Sequence, residues 1–280
     1  MCFDSRVFEK PQAFTSLFIN LTSNISSGLT YLITGANRGI GKGFTTLLLQ
    51  RPSTTIIVGV RDPAAAASKA LYDLPKAEGS KIIVVKIDSS IESDPVAAVA
   101  TIQKEHGITA LDVVIANAGI SHTSADIAAT STKVALDHFA VNSVAPLVLF
   151  GATKPLLKES KSKNPIFVAI SSAIGSNGLA ETISQIPSPA SPYGASKAAL
   201  NWFVRRLHFE EPWLTAFVFH PGLVETDMAA GLAAKAGTDL SAFGAIPVKK
   251  SVDDMVATID KATREISGSF KNHDGTDLPW

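Results

Sequence analysis

Tyr31-Leu32-Ile33-Thr34 runs straight into Gly35-Ala36-Asn37-Arg38-Gly39-Ile40-Gly41, and the reading of that junction decides the fold. The first four residues suit a buried strand, and those from Ile40 to about Gln50 have helical spacing. Strand, glycine turn and helix in that order bring backbone N–H groups and a helix N-terminus to one point, where a pyrophosphate binds. The glycines permit the tight turn and let a ligand approach the backbone closely.

Outward from the junction, short apolar runs recur at Thr55-Ile56-Ile57-Val58, Ile82-Ile83-Val84-Val85, Val113-Val114-Ile115, Ile166-Phe167-Val168-Ala169-Ile170 and Ala216-Phe217-Val218-Phe219. Their apolarity is continuous rather than alternating, which marks strands buried on both faces of a parallel sheet. Helical stretches separate them, at about Ala64 to Leu74, Asp94 to His106, Ser131 to Lys158, Tyr193 to Glu210 and Val252 to Ile266. Strand alternating with helix predicts an α/β fold, a single doubly wound parallel sheet of about seven strands flanked by helices. Residues 28–280 form that domain, preceded by an extension over 1–27. Two long loops, about 173–192 and 225–250, read as carriers of function.

Composition removes several function classes. The 25 Lys and Arg balance 25 Asp and Glu, so no basic surplus exists to neutralise nucleic acid or an anionic membrane. Hydrophobic residues make up 46% and charged ones 18%, a globular balance rather than a disordered one. No apolar run reaches the roughly 18 residues of a membrane span. Within Met1 to Ser27, Asp4 and Glu9 among Arg6 and Lys10 make a poor signal peptide. Cys2 is the sole cysteine, which excludes an internal disulfide and fits a reducing, cytoplasmic compartment. The six histidines show no ligand spacing, so no metal is expected.

The glycine spacing, with the motifs that follow it, resembles the classical short-chain dehydrogenase/reductase family, whose fold is a Rossmann-type sheet. The resemblance runs from about Leu29 to the end of the sequence. It implies a nicotinamide dinucleotide on Gly35, Asn37, Arg38, Gly39, Ile40 and Gly41, with Asn117-Ala118-Gly119 under its adenine-ribose side and Asp88 near the adenine amino group. Pro221, Gly222, Val224 and Thr226 match the segment that binds the nicotinamide carboxamide, Thr226 through its hydroxyl. Coenzyme choice follows electrostatics: at the end of the second strand stands Val60, not a carboxylate, and Arg61 follows. Arg61 and Arg38 favour the 2′-phosphate of NADP(H). Asp62, just before Pro63, reads as the cap of the next helix.

Tyr193 and Lys197 are four apart and share a helical face. A phenol has an ordinary pKa near 10, so a nearby positive charge helps it exchange a proton with a carbonyl oxygen. The resemblance makes Tyr193 the proton donor, with Lys197 lowering its pKa and reaching the nicotinamide ribose. It selects Ser172 to orient the substrate oxygen, Ser171 being the alternative, and Asn142 to hold a water joining the lysine to solvent. The implied activity is an NADPH-dependent ketoreductase; the alternatives are an NAD-linked secondary alcohol dehydrogenase and a nucleotide-binding signalling protein without turnover.

Ser172 and Tyr193 stand roughly twenty positions apart, against about a dozen in the family. The insertion contributes Leu179, Ile183 and Ile186, which with Met228 and Phe243 suggest an apolar pocket for a bulky ketone; His122 reads as a loop residue facing solvent. The ending Asp274-Gly275-Thr276-Asp277-Leu278-Pro279-Trp280 resembles the branch of fungal norsolorinic-acid-type ketoreductases, sniffer-like carbonyl reductases and C-factor-like proteins. That branch makes an aromatic or polyketide ketone the expected substrate. The family's pairing of the Asn142 and Tyr193 helices between subunits implies a homodimer or homotetramer.

Overall fold

The computed structural model describes residues 28–121, 127–184, 190–230 and 244–280. The extension over 1–27, with Cys2, and the residues His122, Ile186 and Phe243 lie outside the described residues. Seven strands form one sheet: β1 (Thr30–Thr34), β2 (Thr55–Val60), β3 (Lys81–Lys86), β4 (Val113–Ala116), β5 (Ile166–Ile170), β6 (Thr215–His220) and β7 (Phe270–Asn272). Their order is β3-β2-β1-β4-β5-β6-β7, every neighbouring pair parallel. This is the expected Rossmann-type sheet. Chain order reverses between β1 and β4, and at such a switch point the crevice past the strands' carboxyl ends receives ligands.

Helices cover both faces. α1 (Gly39–Leu48) and, near the end of the chain, a helix over Val248–Lys261 pack on one side, burying Phe44, Leu48, Val252, Met255 and Ile259 against the Tyr31, Ile33, Val58, Val168, Phe217 and Phe219 side chains. α2 (Ala66–Lys69) is short. α3 (Asp94–His106), α4 (Thr132–Phe139), α5 (Ala145–Lys158), α6 (Ala180–Ile183) and α7 (Ser191–Glu210) follow, and the Val248–Lys261 helix is α8. On the second face Ile102, Leu149, Leu156, Leu200 and Val204 meet Leu32, Val114, Phe167 and Val218. Alternation along each strand thus divides its side chains between two cores, and this is why continuous apolarity was needed. α3 shows the local rules plainly: Pro95 sits in its first turn, Lys104 and His106 in its last, and Gly107 closes it at φ 66°.

Several expectations need correction. β7 is three residues long, too short to stand out as an apolar run. The helix expected over Ala64 to Leu74 is only Ala66–Lys69; three-residue turns carry the chain from Ala70 to Leu74, ahead of Pro75. Its N-cap position is Ala65, and Asp62 caps a turn instead, its carboxylate accepting from the Ala64 amide at 2.8 Å. α8 starts at Val248, and a separate 3-10 turn, Arg264–Ile266, follows it. The stretch Ser131 to Lys158 contains a π-turn, Ala140–Val144, between α4 and α5.

By length and composition alone, Thr132–Lys158 is long and apolar enough to cross a bilayer, although Lys133, Asp137, His138 and Lys154 interrupt it. Its surroundings argue otherwise. α5 packs on α3, α4 on α7, and His138, Asn142, Ser143 and Thr153 are buried polar side chains with partners inside the protein.

Candidate active site

The glycine turn is held from below by the end of β4. Thr34 presents its hydroxyl oxygen to the amides of Asn117 and Ala118, both at 3.1 Å. The Asn117 side chain donates to the Thr34 carbonyl at 2.9 Å and the Gly35 carbonyl at 3.2 Å. Gly35 and Gly39 adopt φ of +66° and +51°, where a side chain is strained. A Cβ on Gly41 would collide with the Gly35 carbonyl and stand 2.6 Å from the Asn117 amide nitrogen. α1 therefore starts tight against the turn, with Ile40 in its first turn, no side-chain cap and no acidic residue there. Its N-terminal N–H groups and positive dipole end are left for an anion. Asn37 is half-buried beside Arg38.

Arg38 and Arg61 are both exposed at this edge. Arg38 makes a long, solvent-exposed ion pair with Asp227 at 3.4 Å, a contact of little strength. Burial pushes the Asp88 carboxyl up, but hydrogen bonds from the Ser90 amide and hydroxyl, with smaller help from the Arg61 and Lys86 charges, hold it below its ordinary value. Asp88 thus caps a local turn, with Ser90 donating at 2.9 and 2.7 Å. Next to it opens a cavity of about 210 Å3, lined by Thr34, Ile87, Ala116, Ala118, Val144 and Leu149 among others. The cavity lies on the Asp88 side of the glycine turn, and Tyr193 takes no part in its lining.

From β6 the chain passes through Pro221 and Gly222, the latter at φ +85°. Val224 is buried and bridges Ile246, and Thr226 comes up against the glycine turn, where a Cβ on Gly39 would be 3.5 Å from its methyl. The Thr226 hydroxyl oxygen accepts from the Ala229 amide at 3.3 Å, leaving its hydrogen for a further acceptor.

On the other side of Gly119 the chemical residues converge. Lys197 is buried and donates to the Ile170 carbonyl at 2.7 Å, its Nζ 5.7 Å from the centre of the Tyr193 ring. A Cβ on Gly119 would stand 3.7 Å from that Nζ and 3.2 Å from Asn142 Oδ1, so this glycine leaves the space between them open. Burial pushes the Tyr193 phenol up to about 12, a hydrogen bond with Ser172 acting in the opposite direction. Burial also brings the Lys197 ammonium down to about 8. Lys197 is buried and Tyr193 half-buried, and in each case desolvation shifts the group toward its neutral form.

The two serines separate as strand alternation requires. Ser171 donates to Asn201 Oδ1 at 2.5 Å, and Asn201 Nδ2 donates to the Gly175 carbonyl at 3.1 Å. Ser172 points toward Tyr193 and accepts from the Ile174 amide at 3.2 Å. The Asn142 side chain is fully occupied: Oδ1 accepts from the Ile120 amide at 2.8 Å, and Nδ2 donates to the Ile120 carbonyl at 2.9 Å and to Ser196 Oγ at 3.0 Å. Ser196 in turn donates to the Tyr193 carbonyl at 2.7 Å, and Ser143 to the Ser196 carbonyl at 2.6 Å. Any water bound by Asn142 therefore falls to its backbone, which the π-turn takes out of regular helical pairing.

Sequence reasoning missed Thr34, Ser196, Asn201 and His138. Asn201 was findable, since 193, 197 and 201 recur every four residues and a polar side chain on that buried face needs a partner. His138 is fully buried, bonded at Nδ1 to the Val134 carbonyl at 2.7 Å and edge-on to the Tyr193 ring at 6.5 Å. Its place one turn before Asn142 was the available signal. Of the apolar residues proposed for the substrate, Leu179 and Ile183 are half-buried and Met228 is exposed.

The family model for short chain dehydrogenases matches residues 30–237. The chain is 42% identical over 259 residues to the norsolorinic acid ketoreductase of Dothistroma septosporum, covering 91% of this chain and 94% of that one. It is also 42% identical over 254 residues to the norsolorinic acid ketoreductase of Aspergillus parasiticus, covering 89% and 90%. Among solved structures, the NADPH-bound carbonyl reductase from chicken fatty liver superposes with a TM-score of 0.79 at 28% identity, over 91% of this chain and all of that one. The carbonyl reductase Sniffer of D. melanogaster gives 0.75 at 30% identity, over 91% and 100%.

Proposed function

Because the chain belongs to the short-chain dehydrogenase family, we propose that it is an NADPH-dependent ketoreductase acting on a bulky aromatic or polyketide-type ketone. The observation that carries this reading is the Ser172–Tyr193–Lys197 cluster, with Ser172 and Lys197 buried and Tyr193 half-buried, at the same carboxyl end of the strands as the glycine turn. The dinucleotide fits the chain's own features. Its pyrophosphate would lie on the Gly35–Gly41 turn at the uncapped start of α1, its adenine by Asp88 and the adjoining cavity, and its 2′-phosphate between Arg38 and Arg61. Asn117, Ala118 and Gly119 would support the ribose, and Pro221, Gly222, Val224 and Thr226 the carboxamide. When bound, the cofactor supplies the hydride.

The protein's part is binding, orientation and proton supply. Ser172 holds the ketone oxygen, and Tyr193 donates its proton to that oxygen as the carbonyl carbon is reduced. Burial holds the phenol in its protonated form, the form that can donate to the ketone oxygen. Lys197 supplies positive charge beside the oxygen that gains negative charge, and the Ile170 carbonyl fixes its position. The proton is resupplied through Lys197 and a water on the Asn142 backbone. The relatives named norsolorinic acid ketoreductase support an aromatic ketone, and the NADPH-bound neighbour supports the coenzyme.

Exposed apolar side chains lie on the helices that the resemblance pairs between subunits: Leu136, Phe139 and Val144 on α4 and the π-turn, Trp202 and Phe209 on α7. They support a homodimer or homotetramer, which sedimentation reading a stable 29 kDa species would refute. The test of function is NADPH consumption, beside NADH, across aromatic, quinone-like and aliphatic ketones with Tyr193→Phe as the blank. Turnover of bulky aromatic ketones with NADPH is expected; tight NADPH binding with no turnover would return the signalling alternative.

A further inference from the structure

Leu278-Pro279-Trp280 lies beneath the segment that leaves Ser172. Ser176, itself buried, donates to the Pro279 carbonyl at 2.7 Å and accepts from the Leu179 amide at 3.1 Å. The Gly178 amide donates to the Trp280 carbonyl at 2.6 Å. A Cβ on Gly178 would stand 2.8 Å from Pro279 Cβ and 3.0 Å from the Trp280 carbonyl oxygen, so the two pieces of backbone are in close contact.

The other side of Trp280 is anchored in the body of the protein. Its ring is 5.6 Å from that of Phe270 on β7 and lies 5.1 Å under the Arg205 guanidinium of α7. The Leu278 amide donates to the Phe270 carbonyl at 2.8 Å, and Leu278 and Trp280 pack on the core beneath α7. Among the described residues, the hydrogen bonds that carry Ser176 to Ile183 to a distant part of the chain are those to Pro279 and Trp280. Other bonds in this segment are local, Ala180 to Asn177 and Ile183 to Leu179.

We propose that Pro279–Trp280 is a positioning strap that fixes the Ser176–Ile183 segment and thereby sets selection for a bulky ketone, whose ring system would rest on Leu179 and Ile183. The strap touches no reacting atom. It acts by holding an otherwise locally bonded segment in one place, so that its apolar side chains form a wall before substrate arrives. This inference rests on the ketoreductase reading, which gives the segment its substrate.

The test is Trp280→Ala in the full chain, with Trp280→Phe as the conservative rescue. Amide exchange at Gly178 and Leu179 is expected to rise roughly tenfold or more as the local opening becomes easier. KM for a bulky aromatic ketone should rise about five- to tenfold, with kcat within roughly twofold and NADPH affinity unchanged, since uniform substrate binding is what is lost. Trp280→Phe should restore most of both. Unchanged exchange overturns the strap, and so does a parallel loss of kcat, NADPH affinity and KM, which would mean general loosening. Gly178→Ala disturbs the same contact from the other side, leaves Trp280 in its seat, and should reproduce the KM effect if Trp280→Ala does not fold. Faster exchange with unchanged KM would overturn the link to the substrate. A wild-type chain that reduces no ketone would sink the ketoreductase reading instead, while the exchange result would still decide whether the strap holds the segment.

Discussion

The glycine turn and the tyrosine cluster share the carboxyl end of one sheet, but they are built by different means. At the turn, most of the recognition surface is backbone: positive φ at Gly35 and Gly39 and an uncapped helix start, with the Thr34 hydroxyl and the Asn117 side-chain amide bonded to main-chain groups beneath. At the cluster, side chains bond to side chains in a sealed interior, Asn142 to Ser196, Ser171 to Asn201, Ser172 to Tyr193. An open backbone surface suits a polyanion, which needs donors and positive potential. A side-chain site away from bulk water changes protonation equilibria: burial takes Tyr193 up to about 12 against the Ser172 hydrogen bond, and Lys197 down to about 8.

Tyr193→Phe should separate the two regions most sharply. Ketone reduction is expected to fall about 100- to 10,000-fold with loss of the general acid, while NADPH titration stays unchanged. Weakened NADPH binding in that variant would show that the regions are not independent. Replacing Arg38 and Arg61 together by Ala attacks the other region: NADPH affinity should drop roughly tenfold or more as two guanidinium contacts to phosphate are removed, with NADH affinity nearly constant. Equal losses for both coenzymes would place the 2′-phosphate elsewhere.

Gly41→Ala is expected to cost about 1–3 kcal/mol of stability through overpacking against Gly35 and Asn117, seen as a lower denaturation midpoint. Tyr193 and Lys197 keep their partners in that variant, so its residual turnover at saturating NADPH should be near normal. The smallest effect is a pH limb. Lys197 is charged below about pH 8 and loses its charge as pH rises through that value, while Tyr193 stays protonated up to about 12. The reduction rate should therefore fall on the alkaline side near pH 8, and Lys197→Arg should remove that fall where the variant folds. A limb in the acidic range alone would mean that the sealed site is not what sets the proton chemistry.

Much of this was legible beforehand, for reasons visible in particular residues. Six strands stood out because each is a run of apolar residues buried on both faces, and β7 did not because three residues carry too little pattern. The glycine turn was readable because its chemistry is local: Gly35, Gly39 and Gly41 are needed within a few residues of each other. Tyr193 and Lys197 were readable because one helix face places them. Asn201 shares that face and His138 sits on α4, but their purpose depends on Gly175 and on the Tyr193 ring, which reach them only after the chain has folded.

The sequence by itself determined the parallel sheet, the turn after β1, the spacing of tyrosine and lysine and the basic character at the end of β2, since each depends on neighbours no more than a few residues away. Tertiary structure alone decided that Ser171 is committed to Asn201, that the Asn142 side chain is committed to Ile120 and Ser196, and that Trp280 lies under Gly178. It also decided the protonation balance of the cluster. Those outcomes depend on burial and on partners distant along the chain, and neither exists until the two faces of the sheet are covered.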